Sequence, residues 1–235
     1  MELVALVPAR AGSKRLPGKN LLRLGGKTLV QIACEEAQAA SFINETFVST
    51  DSPDIIKEAQ RLSVVSPYVR KEECSTDLAP MILVLQEFVD WMDSSGRKAE
   101  AIVLLQPTSP LRLSRHIDEA CKLYLSGNFD TVVSVVRVPH QCHPRKVMSL
   151  RGEKLVPYLL DGPQMGNTGD LDPAFARNGP AILISSIKDV RHGRLYGDRV
   201  GAYEMAPECS VDIDTQADFD LAEFYMTRRE SKTAE

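Results

Sequence analysis

Short apolar runs and helix-spaced apolar positions alternate along the first 138 residues of the chain. Leu3–Val7 is a continuous apolar run stopped by Pro8, the pattern of a strand buried on both faces. Leu29–Ala40 repeats its apolar positions at helical spacing. Glu45–Ser49 reads as a short strand ending at Thr50-Asp51. Pro53–Leu62 reads as a helix, with Ser52 as its N-cap and Pro53 at the first helical position. Pro80–Met92 predicts another helix, Ala101–Leu105 a buried strand stopped by Pro107, Ser114–Leu125 a helix, and Thr131–Val136 a β-branched strand. Strands and helices alternating in this way predict βαβ units: an α/β fold whose mostly parallel central sheet is covered by helices on both faces.

The pattern breaks after Val138. Residues 139–179 are rich in Pro, Gly and polar residues, with one modest strand pair near Lys146–Leu150 and Leu155–Tyr158. A loop-rich insert of that length in a compact domain is usually functional or interfacial. Its apolar residues Val147, Leu155, Tyr158, Leu159 and Leu160 would be wet on a lone arm, which predicts a homodimer that buries them. The competing reading is a flap packed on its own domain. Ala181–Ser185 reads as a return to the main sheet and Phe219–Arg228 as a closing helix. The expected organisation is one domain over residues 1–228 and a frayed tail over 229–235.

Composition narrows the class. With 235 residues, 43% hydrophobic and 26% charged, the chain can bury a core without disulfides or structural metals. A net charge of −4 argues against a binder of nucleic-acid backbones, but not against a local basic site for a small anion. The five cysteines are scattered and never form a C-x-x-C pair, which predicts reduced thiols in a cytoplasmic protein. No signal peptide and no apolar run of membrane-spanning length is expected.

Four segments carry chemistry. Pro8 to Asn20 follows the first strand directly, at the edge where open α/β sheets bind ligands. Gly12 and Gly18 let backbone N–H groups approach phosphate, and Arg10, Lys14, Arg15 and Lys19 supply charge. The spacing differs from a Walker A loop: five residues separate the glycines, and Asn20 stands where that motif has a hydroxyl. In Ser210-Val211-Asp212-Ile213-Asp214, alternation puts both aspartates on one side of an extended segment. Hard oxygen ligands suit Mg²⁺, which commonly takes one or two carboxylates plus substrate phosphates. Alternatively, Asp214 caps the last helix. Gln106-Pro107-Thr108-Ser109-Pro110-Leu111-Arg112 ends a buried strand, where Gln106 can donate to a ligand oxygen and Ser114 can cap the next helix. Arg70 and Asp77 mark a charged loop.

Together these segments resemble the acylneuraminate cytidylyltransferase family, the CMP-sialic acid synthetases and their nonulosonate relatives. The resemblance runs from about Leu3 to Leu221. It is anchored by Ala9-Arg10 through Lys19-Asn20, Ser49-Thr50-Asp51, Arg70 through Asp77, Leu105 through Arg112, His143-Pro144-Arg145-Lys146, Asn178-Gly179 and Val211 through Thr215. It implies a Rossmann-like nucleotidyltransferase sheet, with the insert as a dimerisation arm. It also implies that Arg10, Ser13, Lys14, Lys19, Asn20, Arg70 and Asp77 surround CTP, that Gln106, Lys146 and Asn178 face an acidic sugar, and that Asp212 and Asp214 hold Mg²⁺. The reaction implied is in-line attack of an anomeric hydroxyl on the α-phosphorus of CTP. Arg10 and Lys19 would stabilise the departing pyrophosphate, and Asp214 would help remove the proton. Two departures fall in the sugar half. Asn167-Thr168-Gly169-Asp170 stands where the family usually has an Arg-Gln pair, and Pro180-Ala181 follows Asn178-Gly179 where sialate-specific members often have Ala-Ile-Tyr. They bear on which acid is used: a sialic, legionaminic or pseudaminic acid, or, alternatively, Kdo or a phosphonate. A non-catalytic nucleotide-binding regulator of the same fold is the remaining alternative.

Overall fold

The computed structural model describes residues 2–13, 15–66, 68–76, 78–159 and 171–233. The elements in chain order are β1 (Leu3–Pro8), β2 (Arg23–Leu24), β3 (Lys27–Thr28), α1 (Leu29–Ala39), β4 (Glu45–Ser49), α2 (Pro53–Arg61), α3 (Glu72–Ser75) and α4 (Met81–Ser94). There follow β5 (Ala101–Leu104), α5 (Ser114–Leu125), β6 (Thr131–Arg137), β7 (Met148–Arg151), β8 (Lys154–Pro157), β9 (Phe175–Arg177), β10 (Leu183–Ser186), α6 (Ile187–Arg191), β11 (Val200–Glu204) and α7 (Gln216–Thr233).

The main sheet has the order β11-β6-β10-β5-β1-β4, with β9 also on β6. β1 pairs parallel with β4 and β5, and β6 parallel with β11, whereas β10 is antiparallel to both β5 and β6. The sheet is therefore mostly parallel, as expected, with β10 and β9 reversed. β1 shows why the apolar runs are continuous. Leu3, Ala5 and Val7 enter one buried cluster with Val30, Ala33 and Cys34 of α1 and Ile117 and Ala120 of α5. Val4 and Leu6 enter the opposite cluster with Leu85, Phe88 and Met92 of α4 and Val190 of α6. Successive side chains point to opposite faces, so a strand covered on both must be apolar throughout.

The structure departs from the sequence pattern in three places. The return segment near Ala181–Ser185 is β10, which runs antiparallel to both neighbours, its residues Leu183–Ser186 pairing with β5 and Leu183–Ser185 with β6. The closing helix runs from Gln216 to Thr233, so residues expected to fray from position 229 are helical through 233. Arg228, Arg229, Glu230 and Lys232 are good helix formers that need no apolar stripe. At α5 the N-cap is Leu113 and not Ser114: the Leu113 N–H donates to His116 Nδ1 at 3.1 Å, and the Ser114 N–H to Glu36 Oε2 at 2.5 Å. β7 and β8 form the expected strand pair, as a two-stranded antiparallel sheet separate from the main one.

Candidate active site

After β1 the chain moves outward to β4 and then returns to β5 on the other side of β1. A crevice opens at the carboxyl ends of neighbouring strands where a sheet is wound in both directions. The loop leaving β1 lies there and is pinned from β4. Ala9 N–H donates to Ser49 O at 2.9 Å, and Ala11 N–H to Asp51 Oδ1 at 2.7 Å. Asn20 Nδ2 closes the loop onto Arg10 O at 3.0 Å. Gly18, at φ +65°, makes the left-handed turn that ends the loop. Arg70 is buried beside it, with Nε donating to Ser49 Oγ at 3.1 Å and Nη2 to Ser49 O at 2.5 Å. Burial lowers the Arg70 pKa from its ordinary value, opposed by the nearby Tyr68 and Asp51.

The aspartate pair is positioned by its apolar neighbours. Val211 and Ile213 enter a third buried cluster with Leu24, Leu29, Leu111, Ala222 and Met226, which turns Asp212 and Asp214 toward the crevice. Asp214 Oδ1 accepts from Lys19 Nζ at 3.0 Å and Oδ2 from Arg15 Nη1 at 2.5 Å. These contacts, led by the Lys19 hydrogen bond, hold its carboxyl below the usual range. Burial, with a further contribution from Asp214, pushes the Asp212 carboxyl up, against a hydrogen bond from Thr108. Asp214 does not cap α7. Thr215 and Asp218 do so reciprocally: Asp218 N–H donates to Thr215 Oγ1 at 3.4 Å and Thr215 N–H to Asp218 Oδ2 at 2.8 Å.

The third wall is the β5 exit facing an irregularity in the β9–β10 run. Val135 pairs with Arg177 and Val133 with Leu183, so residues 178–182 stand opposite Ser134 alone. Ser134 holds this excursion, its Oγ donating to Asn178 Oδ1 at 2.6 Å and accepting from Ile182 N–H at 2.8 Å. Asn178 Nδ2 donates to Ser210 Oγ at 3.0 Å. The excursion brings Gly179 O within 3.5 Å of Gln106 Nε2. A side chain at Gly179 would come within 3.0 Å of Ser109 Oγ and 3.5 Å of Asp212 Cγ. Arg112, fully buried, ties both walls together through Gln106 O at 3.1 Å and Ala181 O at 2.8 Å. Burial pulls its pKa down to about 10.

These walls enclose a cavity of about 500 Å³ lined by Arg10, Ser13, Arg15, Lys19, Asn20, Arg70, Gln106, Thr108, Asp212 and Asp214, among others. Ten of the residues singled out from sequence, Gly12 and Arg15 among them, therefore meet at one site. Two do not. Asn178 is buried behind the wall, with its amide bonded to Ser134 and Ser210, next to Gly179. Lys146 does not line the cavity; its ammonium lies against His140 Nε2 in a short turn, Pro144–Lys146. Lys14, Asp77 and Asn167–Asp170 lie outside the described residues. Sequence reasoning missed Thr108 beside Asp212, the anchoring role of Ser49 and Asp51, and the pairing of Arg15 with Asp214.

Residues 4–149, which include the β1 loop, Arg70, Gln106 and Lys146, match the model of a family described as cytidylyltransferase. The chain belongs to the cytidylyltransferase family. It is 35% identical over 222 residues to N-acylneuraminate cytidylyltransferase of Streptococcus agalactiae serotype V, covering 93% of this chain and 52% of that one. The chain spans about half the length of the first curated relatives it matches, 52% of each. It is 29% identical to CMP-N,N'-diacetyllegionaminic acid synthase of Legionella pneumophila, covering 96% of this chain and 97% of that protein. The solved structure of CMP:2-keto-3-deoxy-manno-octonic acid synthetase complexed with CTP superposes with a TM-score of 0.70 at 18% identity, over 97% of this chain and all of that one. That likeness establishes the Rossmann-like nucleotidyltransferase fold for this member of the family.

Proposed function

We propose that this chain transfers CMP from CTP to an acidic 2-keto sugar of the nonulosonate class, releasing pyrophosphate. The observation that carries the reading is the charge arrangement of the cavity: four cations from two segments, Arg10, Arg15 and Lys19 of the β1 loop and Arg70 beyond β4, share it with the carboxylates of Asp212 and Asp214. Such a site suits a triphosphate, with Arg10, Ser13, Lys19, Asn20 and Arg70 around it and Lys14 and Asp77 proposed beside them. Arg10 and Lys19 offset the charge that develops on the departing pyrophosphate. The residues also fit Mg²⁺: Asp212 Oδ1 is buried and lacks a hydrogen-bond partner among the described residues, next to a second carboxylate. Asp212 and Asp214 would hold the ion, which supplies neutralisation of phosphate charge when bound. Asp214 is paired with Lys19 and Arg15 in the free protein and would help remove the proton from the sugar hydroxyl as well as hold the ion. Asp212 has the oxygen without a hydrogen-bond partner among the described residues and would offer it to the ion. The Gln106 side chain, held among the described residues through contacts of 3.4 and 3.5 Å, can reorient toward the acceptor.

We further propose a homodimer formed through the insert. Leu150 and Leu155, a cross-strand pair of the β7–β8 hairpin, are 73% and 60% exposed, and Val147, Tyr158 and Leu159 nearby in the chain are exposed too, apolar surface that a second copy would cover. Lys146 adjoins this hairpin and is proposed to meet the acceptor carboxylate. Five free cysteines support a cytoplasmic setting. No helix among the described residues is long and apolar enough to cross a membrane.

The test is pyrophosphate release from CTP and Mg²⁺ across sialic, legionaminic, pseudaminic and Kdo acids. We expect one nonulosonate to dominate. Preference for Kdo would reassign the acceptor, and no release with any acid would favour a non-catalytic nucleotide binder. A monomer by light scattering at micromolar concentration would remove the dimer.

A further inference from the structure

The two carboxylates of the cavity are not equivalent. Asp212 Oδ1 has no hydrogen-bond partner among the described residues, whereas both oxygens of Asp214 are occupied, Oδ1 by Lys19 and Oδ2 by Arg15. The two cations differ as well. The Lys19 side chain is only 12% exposed, and its ammonium also donates to Ile213 O at 2.6 Å, so it is held from two sides. The Arg15 side chain is 69% exposed, and among the described residues its guanidinium bonds to Asp214 alone. Ion pairs that exposed contribute little and exchange readily.

We propose that Arg15 is an exchangeable counter-ion for Asp214. It occupies Oδ2 in the free protein and releases it to a divalent cation when a nucleoside triphosphate draws the guanidinium onto its own phosphates. The proposal rests on the nucleotidyltransferase reading above. Its physical basis is charge balance. With four cations against two carboxylates, the empty cavity repels a bare divalent ion. A triphosphate reverses that sign. Arginine is suited to the move, because its planar fork binds phosphate oxygens as well as it binds a carboxylate. Arg15 also lines the same cavity as Gly12 and Ser13 of the loop proposed to meet phosphate, so its guanidinium and a bound triphosphate would share one space. The arrangement imposes an order: nucleotide before metal, or the two together.

The test uses Mn²⁺ binding to the full chain without nucleotide, counting free ion by its electron paramagnetic resonance signal. Arg15→Gln is expected to tighten Mn²⁺ binding at least threefold over wild type, because it removes one charge beside the ion and frees Oδ2. Arg15→Lys keeps the charge and is expected to leave the affinity within twofold. Combining Arg15→Gln with Asp214→Asn is expected to abolish the gain. Adding a CTP analogue with a non-cleavable α–β bridge should tighten Mn²⁺ binding more in wild type than in Arg15→Gln. Equal Mn²⁺ affinity of wild type and Arg15→Gln, with the analogue bound by both, would overturn the exchange and leave the cytidylyltransferase reading standing. Failure of every variant to bind the analogue would overturn both.

Discussion

On the nucleotide side of the molecule, the functional groups are held by the sheet itself. Ser49, the last residue of β4, accepts from Arg70 and from the β1 loop, and Val211 and Ile213 pack into the core so that Asp212 and Asp214 face outward. On the insert side, Lys146 rests against His140 outside the cavity, and a two-stranded hairpin leaves Leu150 and Leu155 in water. The first region is organised by burial within one chain. The second has its polar residue and its apolar surface both unspent. The contrast supports the proposal that nucleotide binding needs only this fold, with acceptor choice set where the fold is least self-sufficient.

The strongest way to break that contrast is Asp214→Asn. It keeps shape but removes a charge from the proposed metal site, so we expect a loss in kcat of about a hundredfold or more. Folding should change by no more than about 1 kcal/mol, since the Asp214 side chain is 46% exposed and Thr215 and Asp218 cap α7 without it. Steady-state kinetics and melting curves check both, and a fully active variant would refute the role. Next in size, Lys146→Ala should weaken acceptor use by about tenfold to thirtyfold, the worth of one charge-assisted hydrogen bond, with CTP affinity within about twofold. Equal damage to CTP binding would move Lys146 into the nucleotide half.

Asn178→Ala probes the seam between the halves. It leaves Ser134 Oγ without its buried acceptor, which should cost about 1–2 kcal/mol of stability. At roughly 2–4 °C per kcal/mol in a domain of this size, the melting temperature should fall by several degrees. If Asn178 supports Gly179 and does not touch the sugar, acceptor KM should rise only modestly, and a KM effect without a stability effect would contradict that.

At neutral pH no effect on activity is expected from His116, whose ring accepts the Leu113 N–H at the end of the Gln106 loop; its effect appears in acid. Burial first, then nearby Arg115, lowers its pKa from 6.5 to about 4. The fold favours the neutral ring, so this contribution is complete above pH 6.5 and is lost as pH falls toward about 4. The slope should not exceed one proton's worth, about 1.4 kcal/mol per pH unit. His116→Gln, which can accept the same N–H without titrating, should flatten the melting temperature across that window. An unchanged profile would show that another group titrates there.

Much of the contrast was legible in the chain. β4 and α5 have the boundaries their apolar patterns predict, because strands and helices facing a core on known sides leave a period. The charged loop, Arg70, Gln106 and the aspartate pair were readable because each follows or flanks such an element. What was not legible depends on partners distant in sequence. β9 is Phe175–Arg177, three exposed residues with no pattern, and becomes a strand only by pairing with β6. Val200–Glu204 alternates too briefly to announce the sheet edge. Asn178 reads as a polar residue next to a glycine. Its burial follows from Ser134 and Ser210, 44 and 32 residues away. The Arg15–Asp214 pair spans 199 residues, and no local spacing encodes it.

The central claim is that the cavity between the β1 loop and Asp212–Asp214 is a CTP site complete within one fold. Melting curves with Mg²⁺ and each of CTP, ATP, GTP and UTP test it most directly, since a ligand that binds only the native state raises its stability by mass action. We predict that CTP at about a hundred times its Kd raises stability by roughly 2.7 kcal/mol, a shift of several degrees, with much smaller shifts for the other three. Equal shifts for all four nucleotides, or none for CTP, would contradict it.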